Sequence, residues 1–132
     1  MMPEDPLLAA WAATRARRAG EPALFDTQGK VLFRFGEMEE LSRGIEADAL
    51  RDLRAGGILG VQIGNHAHWP ALLLACLRRG IVVLPLERTM SDLERAAALQ
   101  TCRATALLAT MEEGVEPLAG ATPVDWSGQP PA

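Results

Sequence analysis

Between Ile58 and Leu86 the chain reads ILGVQIGNHAHWPALLLACLRRGIVVLPL. Two apolar runs, Ile58–Ile63 and Ile81–Leu84, flank a polar break and an apolar helical stretch. Runs without alternation are expected of strands covered on both faces of a parallel sheet. Pro70 places the helix start between Asn65 and Trp69, because proline is tolerated only in a helix's first turn. Gly80 closes the helix by taking a left-handed conformation. Ala71–Leu77 is apolar on every side, so burial is expected all round. Two strands joined through a helix of about ten residues form a right-handed parallel crossover. The unit commits the chain to an α/β fold with a parallel-rich sheet built from βαβ units.

The flanks extend that reading. Asp5 and Pro6 are a cap and a first helical residue, and Gly20 stops the helix that carries Leu7, Leu8 and Trp11. Ala23–Phe25 and Val31–Phe35 are expected to form a hairpin whose loop contains Gly29, with Val31, Phe33 and Phe35 on one apolar face. After Gly36, Met38, Leu41, Ile45, Ala49 and Leu53 recur at helical spacing, and Gly56–Gly57 ends that helix. Downstream, Ser91 and Glu94 make a capping box for a helix carrying Leu93, Ala96, Ala97 and Gln100. Thr105–Ala109 is a further strand. From Glu116 the texture turns proline- and glycine-rich. The expected organisation is a domain over 1–116 and a tail or linker over 117–132.

With 132 residues and 48% hydrophobic content, the chain can bury a core without staples. A net charge of −4 offers no basic face for nucleic acid. Arg15, Arg17 and Arg18 are expected at a solvated helix end, where cations suit the dipole. Cys76 and Cys102 lie in apolar helical stretches without a CxxC partner and are expected as reduced, buried thiols. The residues before Asp5 have no basic n-region, and the longest apolar run, Trp69–Leu77, is too short to span a bilayer. A cytoplasmic location and no membrane span are expected.

Little in the sequence carries chemistry. GxxxxGK[ST], GxGxxG and GxSxG are all missing. Gly64 could bring backbone N–H groups near an anion, but a single glycine is weak support and a tight strand-to-helix turn is the favoured reading. His66 and His68, two apart, would point to different sides of a helix and have no third ligand in register, so they are expected as helix-start or loop residues exposed to solvent. Trp69 can lie under a ligand or fill the core, with the core favoured. Asp48 and Asp52 are expected as surface carboxylates on the second helix. No residue is assigned to catalysis, to a cofactor or to a metal.

The order of the pieces resembles the N-terminal region of the AMP-forming adenylate synthetase family, which includes acyl-CoA synthetases, peptide-synthetase adenylation domains and luciferase-like enzymes. EPALFDTQGKVLFRFGEMEELSRGI is similar to the family's opening hairpin and following helix. GVQIGNHAHWPALLLACLRRGIVVLPL is similar to its strand–Asn–helix–Gly–strand–Pro unit, with Asn65, Trp69, Ala75, Gly80, Pro85 and Leu86 in the matching places. SDLERAAALQTCRATALLAT resembles the next helix and strand. The family's usual Gly-Asp pair before this strand is replaced by Ala55-Gly56-Gly57.

The resemblance implies a partial N-terminal subdomain: the front of a longer ligase that activates a carboxylic acid with ATP as an acyl-adenylate. ATP and Mg are expected for the parent enzyme and no cofactor for this segment. The family's phosphate loop, Tyr-containing adenine motif, ribose-binding Asp and catalytic lysine all come later. With no tyrosine and Lys30 as the only lysine, the segment is not expected to be active alone. Its expected partners are the remainder of the enzyme and, through exposed apolar surface, a second copy. The alternative is a free-standing α/β interaction module that dimerises or docks a partner through sheet edges or apolar faces.

Overall fold

The computed structural model describes residues 5–110 and 121–124. Helix α1 (Pro6–Arg18) starts as its sequence requires, since the Asp5 carboxylate accepts from the N–H groups of Leu7 at 2.8 Å and Leu8 at 3.2 Å. A short antiparallel hairpin follows, β1 (Pro22–Phe25) and β2 (Val31–Arg34). Its loop is closed by the Asp26 carboxylate, which accepts from Gln28 and Lys30, each at 2.8 Å, and by Gly29 at φ +85°.

The expected strand Val31–Phe35 is one residue too long. Phe35 opens α2 (Phe35–Ala47), because the Glu37 carboxylate accepts from the Arg34 N–H at 2.8 Å. The N–H groups of Phe35 and Gly36 then reach the carbonyls of Glu21 and Ala19. The end of this helix also differs from expectation. The chain turns at Asp48, and the Leu50 N–H reaches the Ile45 carbonyl at 3.1 Å. This turn carries Leu50 into the core, while Ala49 and Leu53 pack on the core from outside the helix. Asp48 and Asp52 are exposed, as expected, but lie past the helix rather than on it.

The main sheet holds β3 (Ile58–Gln62), β4 (Val82–Pro85), β5 (Ala106–Thr110) and β6 (Ala121–Val124) in the order β4-β3-β5-β6. Every adjacent pair is parallel, with Ile58 opposite Val82, Leu59 opposite Ala106 and Leu107 opposite Ala121. Strand β6 falls inside the proline- and glycine-rich stretch that composition assigns to a tail; the rest of 117–132 lies outside the described residues.

Helix α3 (Trp69–Arg79) joins β3 to β4, and α4 (Asp92–Thr101) joins β4 to β5. Alternation along β3 sends side chains to opposite faces. Leu59, Val61 and Ile63 enter the core shared with Met38 and Ile45 of α2 and with Leu72, Ala75 and Cys76 of α3. On the other face, a Cβ at Gly60 would lie 2.6 Å from Leu99 Cδ2 of α4, and Gln62 bonds Arg95 of α4. Parallel strands with both faces covered are what the apolar runs call for.

Coverage is nevertheless incomplete. Strand β4 is an edge, and its Val82 is 54% exposed. Leu73 of α3 is exposed, so that helix is not buried all round. Leu93, Ala96, Ala97 and Gln100 are the outward residues of α4, with Leu93 82% exposed, and the buried residue of that helix is Arg95.

A charged cluster clamps the three helices on the α2 side. The Arg78 guanidinium of α3 donates to Glu46 at 2.9 Å, to Glu39 at 3.0 Å and to the Ser42 hydroxyl at 2.6 Å. Glu39 also accepts from the Trp11 indole at 2.8 Å and pairs with Arg15 at 3.1 Å. Arg15 is thus half-buried and bridges α1 to α2, while Arg17 and Arg18 are the solvated helix end expected of all three. Cys76 is buried, and burial pushes its thiol up to about 11. Cys102, expected to be buried, is exposed because α4 ends there. Among the described residues no helix is long and apolar enough to cross a membrane.

Candidate functional site

In parallel sheets the backbone and loops beyond the carboxyl ends of the strands form the natural ligand crevice. Here the ends of β3 and β4 open on a cavity of about 780 Å³. One wall is the β3–α3 connection: Ile63, Gly64, Asn65, His66 and Trp69. The other is the segment Pro85–Thr89 after β4.

Each wall is fixed by identifiable contacts. Gly64 has φ +61°, a conformation that side chains disfavour, and a Cβ there would sit 3.3 Å from Cδ of Arg88. Its carbonyl accepts from the Trp69 indole N–H at 2.6 Å. Trp69 packs on the core, the reading favoured for it, and also lines the cavity. Opposite, the Leu86 N–H donates to the Val61 carbonyl at 2.8 Å, continuing the β3–β4 ladder. The Gln62 amide donates to the Glu87 carbonyl at 2.9 Å. Gln62 in turn accepts from Arg95 at 3.0 Å, and Arg95 pairs with Asp92 at the start of α4. This chain of bonds ties the cavity floor to both flanking elements.

The two histidines stand just before the helix, which begins at Trp69 as allowed for, so helical spacing does not separate them. The His68 backbone N–H donates to His66 Nδ1 at 3.1 Å, and the rings meet edge to face at a centroid distance of 4.5 Å. His68 is not solvent-exposed: it is 4% accessible and lies against the Phe33 ring at 5.9 Å. Burial, and secondarily the charge of His66, lowers its pKa from 6.5 to about 4. His66 is half-buried on the cavity wall.

The cavity offers an amide, an imidazole, a guanidinium, a carboxylate, a hydroxyl and an aromatic face. Those groups can bind and orient a polar ligand. Among the described residues no group of three or more His, Cys, Asp or Glu side chains is placed to hold a metal ion. Gly64 is brought together with His66 and Trp69, whereas Asp48 and Asp52 are not among the lining residues. Sequence reading passed over Glu87, Arg88 and Thr89. Their signal was available, since they directly follow the strand that ends at Pro85 and so belong to its carboxyl end.

The model of the AMP-binding enzyme family matches residues 10–128. Among solved structures, the chain is similar to NpsA-ThdA, an artificially fused adenylation–PCP di-domain NRPS from Klebsiella oxytoca, with a TM-score of 0.73 and 18% identity over 89% of this chain and 22% of that one. It is similar to VinN in complex with L-aspartate, with a TM-score of 0.71 and 20% identity over 80% of this chain and 30% of that one. It is also similar to the R395G form of coronafacic acid ligase from Pectobacterium brasiliense, with a TM-score of 0.68 and 20% identity over 79% of this chain and 20% of that one. No curated protein matches the chain. The chain spans between a fifth and a third of the length of these solved proteins. By the family match along nearly all of its length, the chain belongs to the AMP-binding enzymes.

Proposed function

We propose that this segment is the scaffold at the front of the large N-terminal domain of an AMP-forming ligase. The parent enzyme converts a carboxylic acid and ATP, with Mg, into an acyl-adenylate and pyrophosphate in the cytoplasm. The segment's part is to supply a rigid parallel sheet, faced by α2 and α3 on one side and α4 on the other, against which the substrate pocket is built.

One observation carries this reading: the hairpin, the helix and two successive parallel crossovers occur in one chain, in the family's order, with family-model agreement over residues 10–128. The chemistry supports a scaffold role. Adenylation requires groups that stabilise developing phosphate charge at the reacting centre. The only lysine, Lys30, sits in the β1–β2 loop, and the sequence has no tyrosine for an adenine site. The segment alone is therefore inactive.

The coding sequence downstream of codon 132 provides the test. The reading predicts a Ser/Thr/Gly-rich phosphate loop encoded within a few dozen codons. The joined product should catalyse acid-dependent ATP–pyrophosphate exchange while the 132-residue chain does not. Exchange by the short chain alone, or a downstream frame without such a loop, would overturn it.

A further inference from the structure

A parallel sheet is buried on both faces, so each face needs enough helix to cover its strands. Strands lie about 4.8 Å apart and a helix is about 10 Å across, so one helix covers about two strands. The core face of the four-stranded sheet carries two helices, α2 and α3. Among the described residues the opposite face carries one, α4. That helix sits over β3, with Leu99 against Gly60 and Arg95 against Gln62.

Beside α4, the same face of β4 is poorly covered. Val83 packs on the α2–α3 core, so alternation turns Val82 and Leu84 to the α4 side. Val82 stands opposite Ile58, and Leu84 opposite Gly60, which has no side chain. Val82 is 54% exposed, and Leu84 and Ile58 are half-buried. We propose that the strip of Ile58, Val82 and Leu84 is the seat of an apolar helix from the continuing chain, laid alongside α4. This inference rests on the reading of the segment as the front of a longer ligase. The segment covers 22%, 30% and 20% of the three solved relatives, so most of such an enzyme lies elsewhere and can supply the helix. The strip has no charged or hydrogen-bonding side chain, so its occupant presents aliphatic residues.

The edge of β4 favours a helix on the face over a strand at the side. The Val82 N–H donates to the Gly57 carbonyl and the Leu86 N–H to the Val61 carbonyl, both on the β3 side. By alternation, residues 83 and 85 turn their backbone toward the open edge. Residue 85 is proline and has no N–H to give. An added strand would therefore meet one donor, from Val83, along the four residues of β4. Proline on an edge strand discourages pairing in this way. A second copy of the chain, pairing edge to edge, would find the same deficit on both sides.

Thiol labelling tests the seat, with Val82→Cys placed in a Cys102→Ser background; Cys76 is buried. Gln28→Cys, in the exposed hairpin loop, is the reference. In the 132-residue chain the two introduced thiols should react at similar rates. In the product joined to its downstream coding sequence, labelling of Val82→Cys should slow by about tenfold or more, as for a group that reacts only on local opening, with the reference unchanged. A joined product that catalyses acid-dependent exchange, yet labels at Val82→Cys as fast as the short chain, overturns the seat and leaves the ligase reading standing. Protection without exchange supports the seat and counts against the ligase reading alone. In the short chain, slow labelling that recovers on dilution would put a second copy on the strip. Slow labelling at every dilution would mean that the chain's own residues cover it, and either result overturns the proposal. Should Val82→Cys lose its far-UV circular dichroism, hydroxyl-radical footprinting of Val82 and Leu84 in the two wild-type products makes the same comparison.

Discussion

Replacing Gly60 with alanine probes the packing of α4 on the second face of the sheet. A Cβ at this position would meet Leu99 Cδ2 at 2.6 Å, Leu107 Cδ1 at 3.3 Å and Leu86 Cδ1 at 3.4 Å. Carbon atoms rest at about 3.5–4.0 Å, so the Leu99 contact is short by roughly 1 Å. Overpacking of a filled site costs about 1–3 kcal/mol. Leu99 is half-buried and presents the end of a flexible side chain, which places Gly60→Ala at about 1–2 kcal/mol. Leu99→Ala alone should cost about 1–2 kcal/mol, less than the 2–5 of a fully buried leucine. In the double variant the alanine methyl enters the space Leu99 vacates, and the cost should fall below the sum by about 1 kcal/mol. Urea denaturation followed by far-UV circular dichroism measures all three variants, with the slope against denaturant checked for constancy. Costs that add to within about 0.5 kcal/mol would mean that α4 does not press on Gly60, and the assignment of the two sheet faces would be wrong.

Arg78→Met should destabilise the chain by about 2–4 kcal/mol, because it strips a close partner from two partly buried carboxylates, although Glu39 keeps Arg15 and Arg43 and Glu46 keeps Arg43 at 3.9 Å. Adding Glu46→Gln should recover part of that loss in the same denaturation assay, and a further loss would contradict the clamp. Acidification should also lower stability. His68 binds its proton less readily in the folded chain, at about 4 against 6.5, so the unfolded chain takes up more protons between those values. Its contribution is present in full above pH 6.5 and lost as pH falls through 4, to a limit of about 3 kcal/mol. His68→Phe should flatten this slope, and an unchanged slope would remove His68 as its source.

The parallel crossover was legible because its signals are local. Pro70, Gly80 and two apolar runs fix one helix and two strands without reference to anything distant. The edge position of β4 was not legible. Val82 reads as apolar as Val61, and only the sheet order leaves it 54% exposed while Val61 is fully buried. The orientation of α4 was closed to the sequence for a similar reason. The spacing of Leu93, Ala96 and Ala97 marks the helix but not its buried side, which a hydrogen bond to Gln62 gives to Arg95. Single-sequence periodicity cannot weigh a buried polar pair against an apolar stripe. The place of the histidines before the helix was legible, but the burial of His68 was not, because the Phe33 ring beside it comes from a distant strand; with the helix starting at Trp69 the two imidazoles meet edge to face. Half of the candidate site, Gly64, His66 and Trp69, lay in the stretch that first draws attention. The half after β4 required the rule that ligands gather at the carboxyl ends of parallel strands.

Isothermal titration of the chain with Mg·ATP bears most directly on the claim that this segment scaffolds an adenylating site without forming one. The account predicts no saturable heat up to millimolar nucleotide. A saturable isotherm with micromolar affinity, worth about 8 kcal/mol of binding, would show that the described fold already holds a nucleotide site and would contradict the scaffold assignment.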